Sequence, residues 1–334
     1  MRIALWPEHT PKWRAGEDWA RSQGCTEFGS DALADNDISA AAHKAVGFTE
    51  IEVIRCFMKT VSAIVLAVSC LLPAASSSAQ TVQYRAPSGT VFRSDVDTGA
   101  IARAAAALAA DPKNIDKVIA LGVAQAGRTQ MREAIETFTN GLYIAPNNAL
   151  LYRWRGHRHL SVRQFDLALR DFANGLAIDS TVYGIWYHLG IIRFAKGDFN
   201  GAADAFRRAQ PRAPDPGELA GSTDWLWMSL SRAGRGAEAK AMLAKRPDSL
   251  RTAPDYAYTK RLRLYRGEIT PEQLFAPSDT AGVQVATLSY GLGNWYLVQG
   301  DTAKAKAQFE RATRGTGWAG FGFIVSEFEL RRLR

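Results

Sequence analysis

Cysteine is scarce in this sequence. The chain has 334 residues and three cysteines, Cys25, Cys56 and Cys70, and residues 71–334 contain none. Disulfide bonds, thiolate catalysis and metal sites with cysteine ligands are therefore excluded from most of the chain. Whatever folds after residue 70 must be held together by packing and by non-covalent polar contacts.

Histidine is scarce as well, with five in the chain. The three that follow residue 80 are His157, His159 and His188, and His157 and His159 cannot share a face because they are two positions apart on a helix. Residues 80–334 also contain no HExxH motif, metal-ligand pair or nucleophile elbow. We therefore predict neither a catalytic nor a metal site there and interpret the histidines as structural or solvent-facing.

The two parts of the chain differ in net charge. Residues 1–57 contain 6 Lys and Arg against 9 Asp and Glu, whereas residues 80–334 contain 34 against 24. The whole chain has net charge +8, and its 47% hydrophobic residues exclude a mostly disordered protein. This contrast predicts two unlike polypeptides joined near residue 58.

The junction carries a short apolar run. Val61–Leu72 is uncharged and covers about a dozen residues, fewer than the roughly 20 that span a bilayer. A lysine precedes it, and a proline and small residues ending at Ala79 follow, the order typical of a secretory signal peptide, which we place at 58–79. We expect the native start at Met58, cleavage after Ala79, and a periplasmic or secreted product. If residues 1–57 block export the chain would stay cytoplasmic, and an uncleaved signal would be its only membrane contact.

The first part of the chain contains a recognisable motif. The string CTEFGSDALADNDISAAAHKAVGFTEIEVIRCF begins at Cys25 with extended backbone predicted at 25–30, and LWPEH begins at Leu5. Together they resemble the GNAT superfamily, specifically the aminoglycoside 6′-N-acetyltransferases. The resemblance implies a small α/β fragment over residues 1–57. It also implies catalytic positions beside the substrate amine and the leaving thiolate, and cofactor positions on the acetyl-CoA side, which match Asp31 and His43 and, for the cofactor, Asn36, Gly47 and Phe48.

This part departs from the acetyltransferase pattern in one place. Between Pro11 and Glu17 the family has most of its central sheet and the Gly-rich turn that holds the CoA pyrophosphate, whereas only Lys12–Gly16 stands here. Two isolated strands in so short a segment also bury little surface. We therefore expect residues 1–57 to be non-functional, with no bound cofactor. The alternative is an acetyl-CoA-dependent aminoglycoside N-acetyltransferase fused to the rest of the chain.

From residue 98 onward the sequence repeats itself at intervals of 34 residues. The positions on this grid include Gly122, Gly156 and Gly190; Ala134, Ala168 and Ala202; and Phe138, Phe172 and Phe206. A small residue on each of two helices lets them approach closely, and a large phenylalanine fills the joint with the next pair. The pattern predicts antiparallel helix pairs stacked in register.

One period carries a nearly complete signature of a known repeat. Trp186, Leu189-Gly190, Ala202, Phe206 and Pro214 resemble the tetratricopeptide repeat (TPR). The resemblance implies an all-α, right-handed α-solenoid of helix-turn-helix repeats whose first helices line a concave groove.

The period also sets the boundaries of the units. In order, we predict a half repeat at 98–114, repeats at 115–148, 149–182 and 183–216, degenerate repeats at 217–250 and 251–284, a repeat at 285–317 and a capping helix at 318–333. Residues 80–97 are expected to be a linker. The last helix alternates Phe321, Ile324 and Phe328 with polar residues such as Glu327, which predicts one face against the solenoid and the other in solvent.

By helical phase, six residues are predicted to face the groove. They are Arg153, His157, Tyr187, Ile191, Tyr290 and Asn294. Arginine and tyrosine commonly anchor interfaces, so we expect a scaffold or adaptor that holds a protein or peptide segment without catalysis. The family's chaperone-binding clamp needs Lys and Asn where this chain has Ile119 and Val123, so chaperone binding is not expected.

The most basic predicted helix is Leu151–Arg163. We interpret it as a solvated face paired with acids such as Glu133 and Glu136, and the alternative is an anionic partner such as an acidic protein. Nucleic acid is not expected, because an exported chain does not meet it and no basic-aromatic binding module is present.

Overall fold

The computed structural model describes two short strands and most of the chain after residue 79, namely Ile3–Leu5, Glu27–Gly29, 80–245 and 257–334. The chain divides into two compact units, Met1–Ala75 and Ser76–Arg334.

In the first unit, two strands pair in parallel. β1 (Ile3–Leu5) lies beside β2 (Glu27–Gly29), with Ile3 opposite Glu27. The extended backbone predicted around β2 is confirmed. The other predictions for this region lie outside the described residues: the acetyltransferase-like positions Asp31, Asn36, His43, Gly47 and Phe48, and the signal peptide at 58–79.

The second unit consists of helix pairs. Its helices in the described ranges are α1 (Ala100–Ala110), α2 (Ile115–Gly127), α3 (Met131–Ile144), α4 (Ala149–Ser161), α5 (Phe165–Ile178), α6 (Tyr183–Lys196), α7 (Phe199–Ala209), α8 (Pro216–Arg232), α9 (Gly236–Ala244), α10 (Ala257–Tyr265), α11 (Gly282–Val298), α12 (Thr302–Arg314) and α13 (Phe321–Arg332). The predicted all-α solenoid of helix-turn-helix units is confirmed.

The 34-residue grid places a glycine of the first helix against a phenylalanine of the second. Phe172 is fully buried, and a Cβ atom added at Gly156 would lie 2.5 Å from its Cε1 atom. The absent side chain therefore lets the two helices approach closely, as the sequence pattern predicts. The same contact joins Gly122 to Phe138, Gly190 to Phe206 and Gly293 to Phe309.

Replacing Gly156 by alanine is expected to destabilise the protein by about 1–3 kcal/mol, because the new methyl group overlaps the Phe172 ring and both helices must shift. Gly127→Ala is the matched control, since a Cβ atom there meets nothing within 4 Å and the substitution reduces only the freedom of the unfolded chain. Urea unfolding measures both variants against the wild type. Equal midpoints for the two variants would show that the pair does not pack through Gly156.

In five helix pairs, α2–α3, α4–α5, α6–α7, α8–α9 and α11–α12, the connecting turn passes through a left-handed residue. In three pairs this is Gly197 (φ 89°), Gly234 (φ 76°) or Gly300 (φ 82°), and glycine adopts this conformation without strain. In the first two pairs it is Thr129 (φ 52°) and Arg163 (φ 65°), which stand on the same 34-residue interval as Gly197. The left-handed turn therefore belongs to the repeat even where its residue is not glycine.

The two degenerate units depart from the regular helix pairs. α9 and α10 have nine residues each, and a 3₁₀ turn, Pro271–Leu274, stands where a second helix is predicted. Their core contains a fully buried ion pair, with Arg261 Nη2 2.7 Å from Asp224 Oδ2. The Arg261 guanidinium also lies over the rings of Trp225 and Tyr290, 5.7 and 5.8 Å from their centroids.

The predicted linker contains a β-hairpin. β3 (Val82–Arg85) and β4 (Val91–Arg93) pair antiparallel. Phe92 stacks on Trp318 with centroids 5.8 Å apart and meets Phe323 edge-on at 5.6 Å. The linker prediction is therefore wrong, because aromatic residues of this segment pack against the C-terminal part of the chain.

Candidate functional site

The chain's own last helix packs against helices that were predicted to line the groove. α13 packs against its neighbours α11 and α12 and also against α6, which lies far earlier in the sequence. The ring of Phe321, its first residue, lies 5.3 Å from that of His157 on α4 and 5.9 Å from that of Tyr187 on α6. Ile324 and Val325 in the next turn are fully buried. α13 therefore fills part of the predicted groove.

Two carboxylates attach α13 to this face. Glu327 accepts hydrogen bonds from Arg163 Nε at 3.0 Å and from the Tyr84 hydroxyl at 2.8 Å. Glu329 accepts one from Arg232 Nη1 at 2.9 Å. Only 7% and 1% of the two glutamate side chains are exposed, so the ion pairs form in largely dry surroundings. Burial likewise raises the pKa of Tyr84, to about 12.

The prediction that the last helix is an amphipathic cap is wrong. Its predicted polar face reaches solvent only at the C-terminal end, at Arg331, because Glu327 and Glu329 pair with Arg163 of the α4–α5 turn and Arg232 of α8. Phe323, on neither predicted stripe, is 1% exposed against β4. α13 therefore belongs to the core of the second unit and is more than a capping helix at its end.

Four of the six residues predicted to line an open groove are buried. Ile191, Tyr290 and Asn294 are 0% exposed, and Tyr187 is 5% exposed. The cause is the covering helix and its partners, since Asn294 Oδ1 accepts a hydrogen bond from Arg232 Nη1 at 3.1 Å and Arg232 in turn binds α13. These four are core residues, and the prediction that they contact a ligand is corrected accordingly.

The prediction of a solvated basic face on α4 is also wrong. Arg155 donates to both carboxylate oxygens of Asp171, at 2.9 and 2.6 Å, and Arg158 is only 7% exposed. Glu133, which we expected to pair with this helix, instead accepts hydrogen bonds from Thr81 and Gln83 of the hairpin segment. Most basic groups of α4 therefore point into the unit.

Arg153 and His157 remain partly accessible and belong to a cluster of four basic side chains. This basic cluster consists of Arg153, His157 and Arg158 on α4 and His188 on α6. The two imidazole rings have centroids 4.1 Å apart, and Arg158 donates a hydrogen bond to His157 Nδ1. The Arg153 guanidinium lies 3.7 Å from the ring centroid of Trp154.

Burial shifts the pKa of every member of the basic cluster. It is the largest cause that lowers the pKa of His157 and of His188 well below 6.5, and the neighbouring arginines lower both further. Burial also lowers the pKa of Arg158 to about 9, with a contribution from Arg153, and that of Arg153 to about 10, against the opposing charge of Glu218. At neutral pH both guanidiniums are therefore charged and both imidazoles are neutral.

These histidines predict a loss of stability in acid. Between the unfolded pKa of 6.5 and the lower folded pKa, the unfolded chain binds protons that the folded chain does not, so stability decreases as the pH falls below about 6.5. The free energy of unfolding at pH 7 and pH 5 is expected to change less in a His157→Gln, His188→Gln double variant than in the wild type. Parallel pH profiles would contradict the assignment.

Two further features of the described ranges bear on function. Within residues 80–245 and 257–334, no group of three His, Cys, Asp or Glu side chains is arranged to hold a metal ion. Across those same ranges, every helix is too short or too polar to cross a membrane.

Comparison with known sequences links the chain to two different groups of proteins. No protein-family model matches it. It is 54% identical over 46 residues to the aminoglycoside N(6′)-acetyltransferase type 1 of Klebsiella aerogenes, which is 14% of this chain and 30% of that protein. It is 27% identical over 128 residues, 38% of each chain, to the heat-shock protein cognate co-chaperone sgt12 of Aspergillus fumigatus.

A third relative is the small glutamine-rich tetratricopeptide repeat-containing protein 2 of Saccharomyces cerevisiae, 28% identical over 75 residues and 22% of each chain. The chain therefore spans between 22% and 38% of the length of these three relatives. Together with the helix pairs, they confirm the tetratricopeptide-repeat interpretation, and they confirm the acetyltransferase resemblance of one short segment.

Two solved structures are similar to part of the chain. One is that of pilF from Pseudomonas aeruginosa, with 19% identity and a TM-score of 0.42 over 59% of this chain and 90% of that one. The other is the Cut9–Hcn1 assembly, with 16% identity and a TM-score of 0.45 over 64% of this chain and 39% of that one.

Proposed function

We propose that this chain is an exported adaptor that binds a protein or peptide segment, without catalysis or cofactor, in the part of its concave groove that α13 leaves accessible. The observation that supports this proposal is the partial exposure of Arg153, Trp154 and His157 on α4 and of Glu218 on α8. Neighbouring residues of the predicted groove, such as Tyr187 and Ile191, are buried. Arginine and tryptophan are the residue types that most often dominate binding energy. A protein partner is further supported by the relative named as a co-chaperone.

α13 indicates the kind of segment that suits this groove. It is a helix whose apolar side chains, such as Ile324, pack in the same core cluster as Ile191 of α6 and whose Glu327 and Glu329 pair with Arg163 and Arg232. Recognition of a helix in a groove combines apolar anchors and charge in the same way. A partner segment with apolar and acidic residues would complement Arg153 similarly.

A photo-crosslinking experiment tests this proposal in cells. Glu218→p-benzoylphenylalanine places the crosslinker at the accessible end of the groove, and Tyr143→p-benzoylphenylalanine, at a residue 82% exposed on α3, is the control. We expect a discrete crosslinked partner from Glu218 and none from Tyr143. Crosslinks from Tyr143 with none from Glu218 would place the binding surface elsewhere and overturn the proposal.

Export is proposed from the sequence of residues 58–79. The expected mature chain starts at Gln80 in the periplasm or the medium. Intact-mass measurement of the exported protein checks this, and a mature chain that still carries residues 1–57 would contradict it.

The acetyltransferase-like segment motivates a second candidate function. The observation in its favour is the 54% identity to an aminoglycoside acetyltransferase over 46 residues. We propose that the segment is inactive, because the sequence lacks the turn that holds the CoA pyrophosphate. Thermal unfolding of the full chain with and without acetyl-CoA separates the two candidates. An unchanged melting temperature is expected, whereas stabilisation by acetyl-CoA would support the enzyme.

A further inference from the structure

Three polar atoms of the basic cluster are buried without a hydrogen-bond partner. They are Arg153 Nη1, Arg158 Nε and His188 Nδ1. The remaining N–H groups of Arg158 reach only the sulfur of Met131, at 3.5 Å, and the ring of His157. An unpartnered buried donor costs about 1–3 kcal/mol, and more when it is charged. Arg153 Nη1 and Arg158 Nε are therefore donors for which the described part of the chain has no acceptor.

The basic cluster also has an excess of positive charge. Arg155, on the same helix, pairs with Asp171 at 2.6 Å. By contrast, in the described part of the chain no carboxylate lies within ion-pair distance of Arg153 or Arg158; the charge of Glu218 acts on Arg153 from farther away, and Arg158 is the more deeply buried of the two. Removing a charge from water without a counterion is strongly unfavourable. An anion bound beside these guanidiniums would offset that cost.

The cluster is partly accessible to solvent. Phe321 of α13 lies against His157 and His188, with centroids 5.3 and 5.5 Å away, and closes the side toward the filled half of the groove. Arg153 and His157 nevertheless retain partial exposure. An anion that enters from the accessible end of the groove would therefore meet Arg153 first.

We propose that the basic cluster binds an oxyanion and that this oxyanion is the side-chain carboxylate of an aspartate or glutamate in the bound segment. This inference rests on the proposed function, which supplies the segment. Charge-assisted hydrogen bonds from arginine to a carboxylate are among the strongest in proteins. The second unit already holds two carboxylates in this way, at Arg163 in the α4–α5 turn and at Arg232 on α8.

The test uses the full chain and a peptide of four glutamates with both ends blocked, so that its only charges are on side chains. Binding is followed by calorimetric titration at constant ionic strength, with the matching glutamine peptide and inorganic phosphate as separate titrants. Arg153→Gln is expected to weaken binding of the glutamate peptide about tenfold or more. Arg170→Gln, which removes an equal charge from an exposed position on α5, is expected to leave it within about twofold.

Arg158→Met is a second variant, in which an apolar side chain of similar length replaces the buried cation. It is expected to fold at least as stably as the wild type and to lose peptide binding. Equal binding of the glutamate and glutamine peptides, or unchanged binding in both cluster variants, would overturn the inference. Binding of phosphate without the glutamate peptide would overturn the peptide as the source of the anion.

The two proposals fail in different ways. If crosslinking from Glu218 persists while the glutamate peptide does not bind, the adaptor proposal stands and the anion inference is wrong. If crosslinking from Glu218 is absent, the adaptor proposal is wrong whatever the peptide does.

Discussion

Replacing Ile324 by lysine is expected to lower the free energy of unfolding by about 4 kcal/mol or more. Ile324 lies on α13 with none of its surface exposed, in the same hydrophobic cluster as Ile191 and Tyr290. An ammonium group among apolar side chains either remains charged at high cost or loses its proton, and both outcomes are unfavourable. Urea denaturation followed by tryptophan fluorescence measures the effect.

Arg331→Lys is the control for this substitution. Arg331 lies on the same helix but is exposed, so a lysine there is expected to change stability by less than about 0.5 kcal/mol. If Ile324→Lys unfolds at the same urea concentration as Arg331→Lys, α13 does not lie in the groove. In that case the groove would be open, as the sequence predicts.

Replacing Asp224 by leucine is expected to destabilise the protein by about 3–5 kcal/mol, because it leaves the Arg261 guanidinium buried without its counterion. The desolvation of a charge in this setting is visible at Asp224 itself, whose pKa burial raises to about 7 in spite of Arg261. Guanidinium denaturation of the single variant and of the Asp224→Leu, Arg261→Met double variant measures the effect.

The double variant separates the effect of the Asp224 and Arg261 charges on stability from the effect of the ring contacts that Arg261 makes. Because it removes both charges and keeps an apolar stem against Trp225 and Tyr290, it is expected to recover most of the lost stability. A double variant no more stable than the single one would contradict this account. The contacts of Arg261 with the surrounding rings would then contribute more than its charge does.

The helix pairs could be predicted because their determinants are local and periodic. Gly156 and Phe172 are 16 residues apart and recur at Gly190 and Phe206, so one contact type predicts the packing of the regular helix pairs. The left-handed turns could be predicted only in part from the sequence. Glycines mark the later turns, but nothing about Arg163 as a residue type indicates positive φ, and only its position on the grid does.

The occupied groove could not be predicted in the same way. The Arg163–Glu327 and Arg232–Glu329 pairs join residues 164 and 97 positions apart, with no period that connects them. One signal was present, however. Phe323, Ile324 and Val325 place apolar side chains around most of the helix, and a helix that is apolar on all sides is buried. The assignment of Glu327 and Glu329 to a solvent-facing side obscured the apolar character of the rest of the helix.

The basic cluster shows a related difficulty. Helical phase predicted Arg153 and His157 as groove-facing residues, and the structure leaves both partly accessible. It did not predict Arg158 and His188, the other two members of the cluster. Arg158 lies next to His157 in sequence, and it is buried because Met131 of the preceding pair and the packing of α6 enclose it. That packing depends on the curvature of the solenoid, which single residues do not encode.

The contacts of Glu327 change how the second unit unfolds. Repeat proteins whose units touch only their neighbours can lose structure progressively from either end. Here the first hairpin and the last helix are joined directly, because the Tyr84 hydroxyl binds Glu327 across 243 residues of sequence. Neither end of the unit can fray alone, so the solenoid is expected to melt in one cooperative transition. Its folding is also expected to be slow for a helical protein, since the closing contacts form between distant parts of the chain.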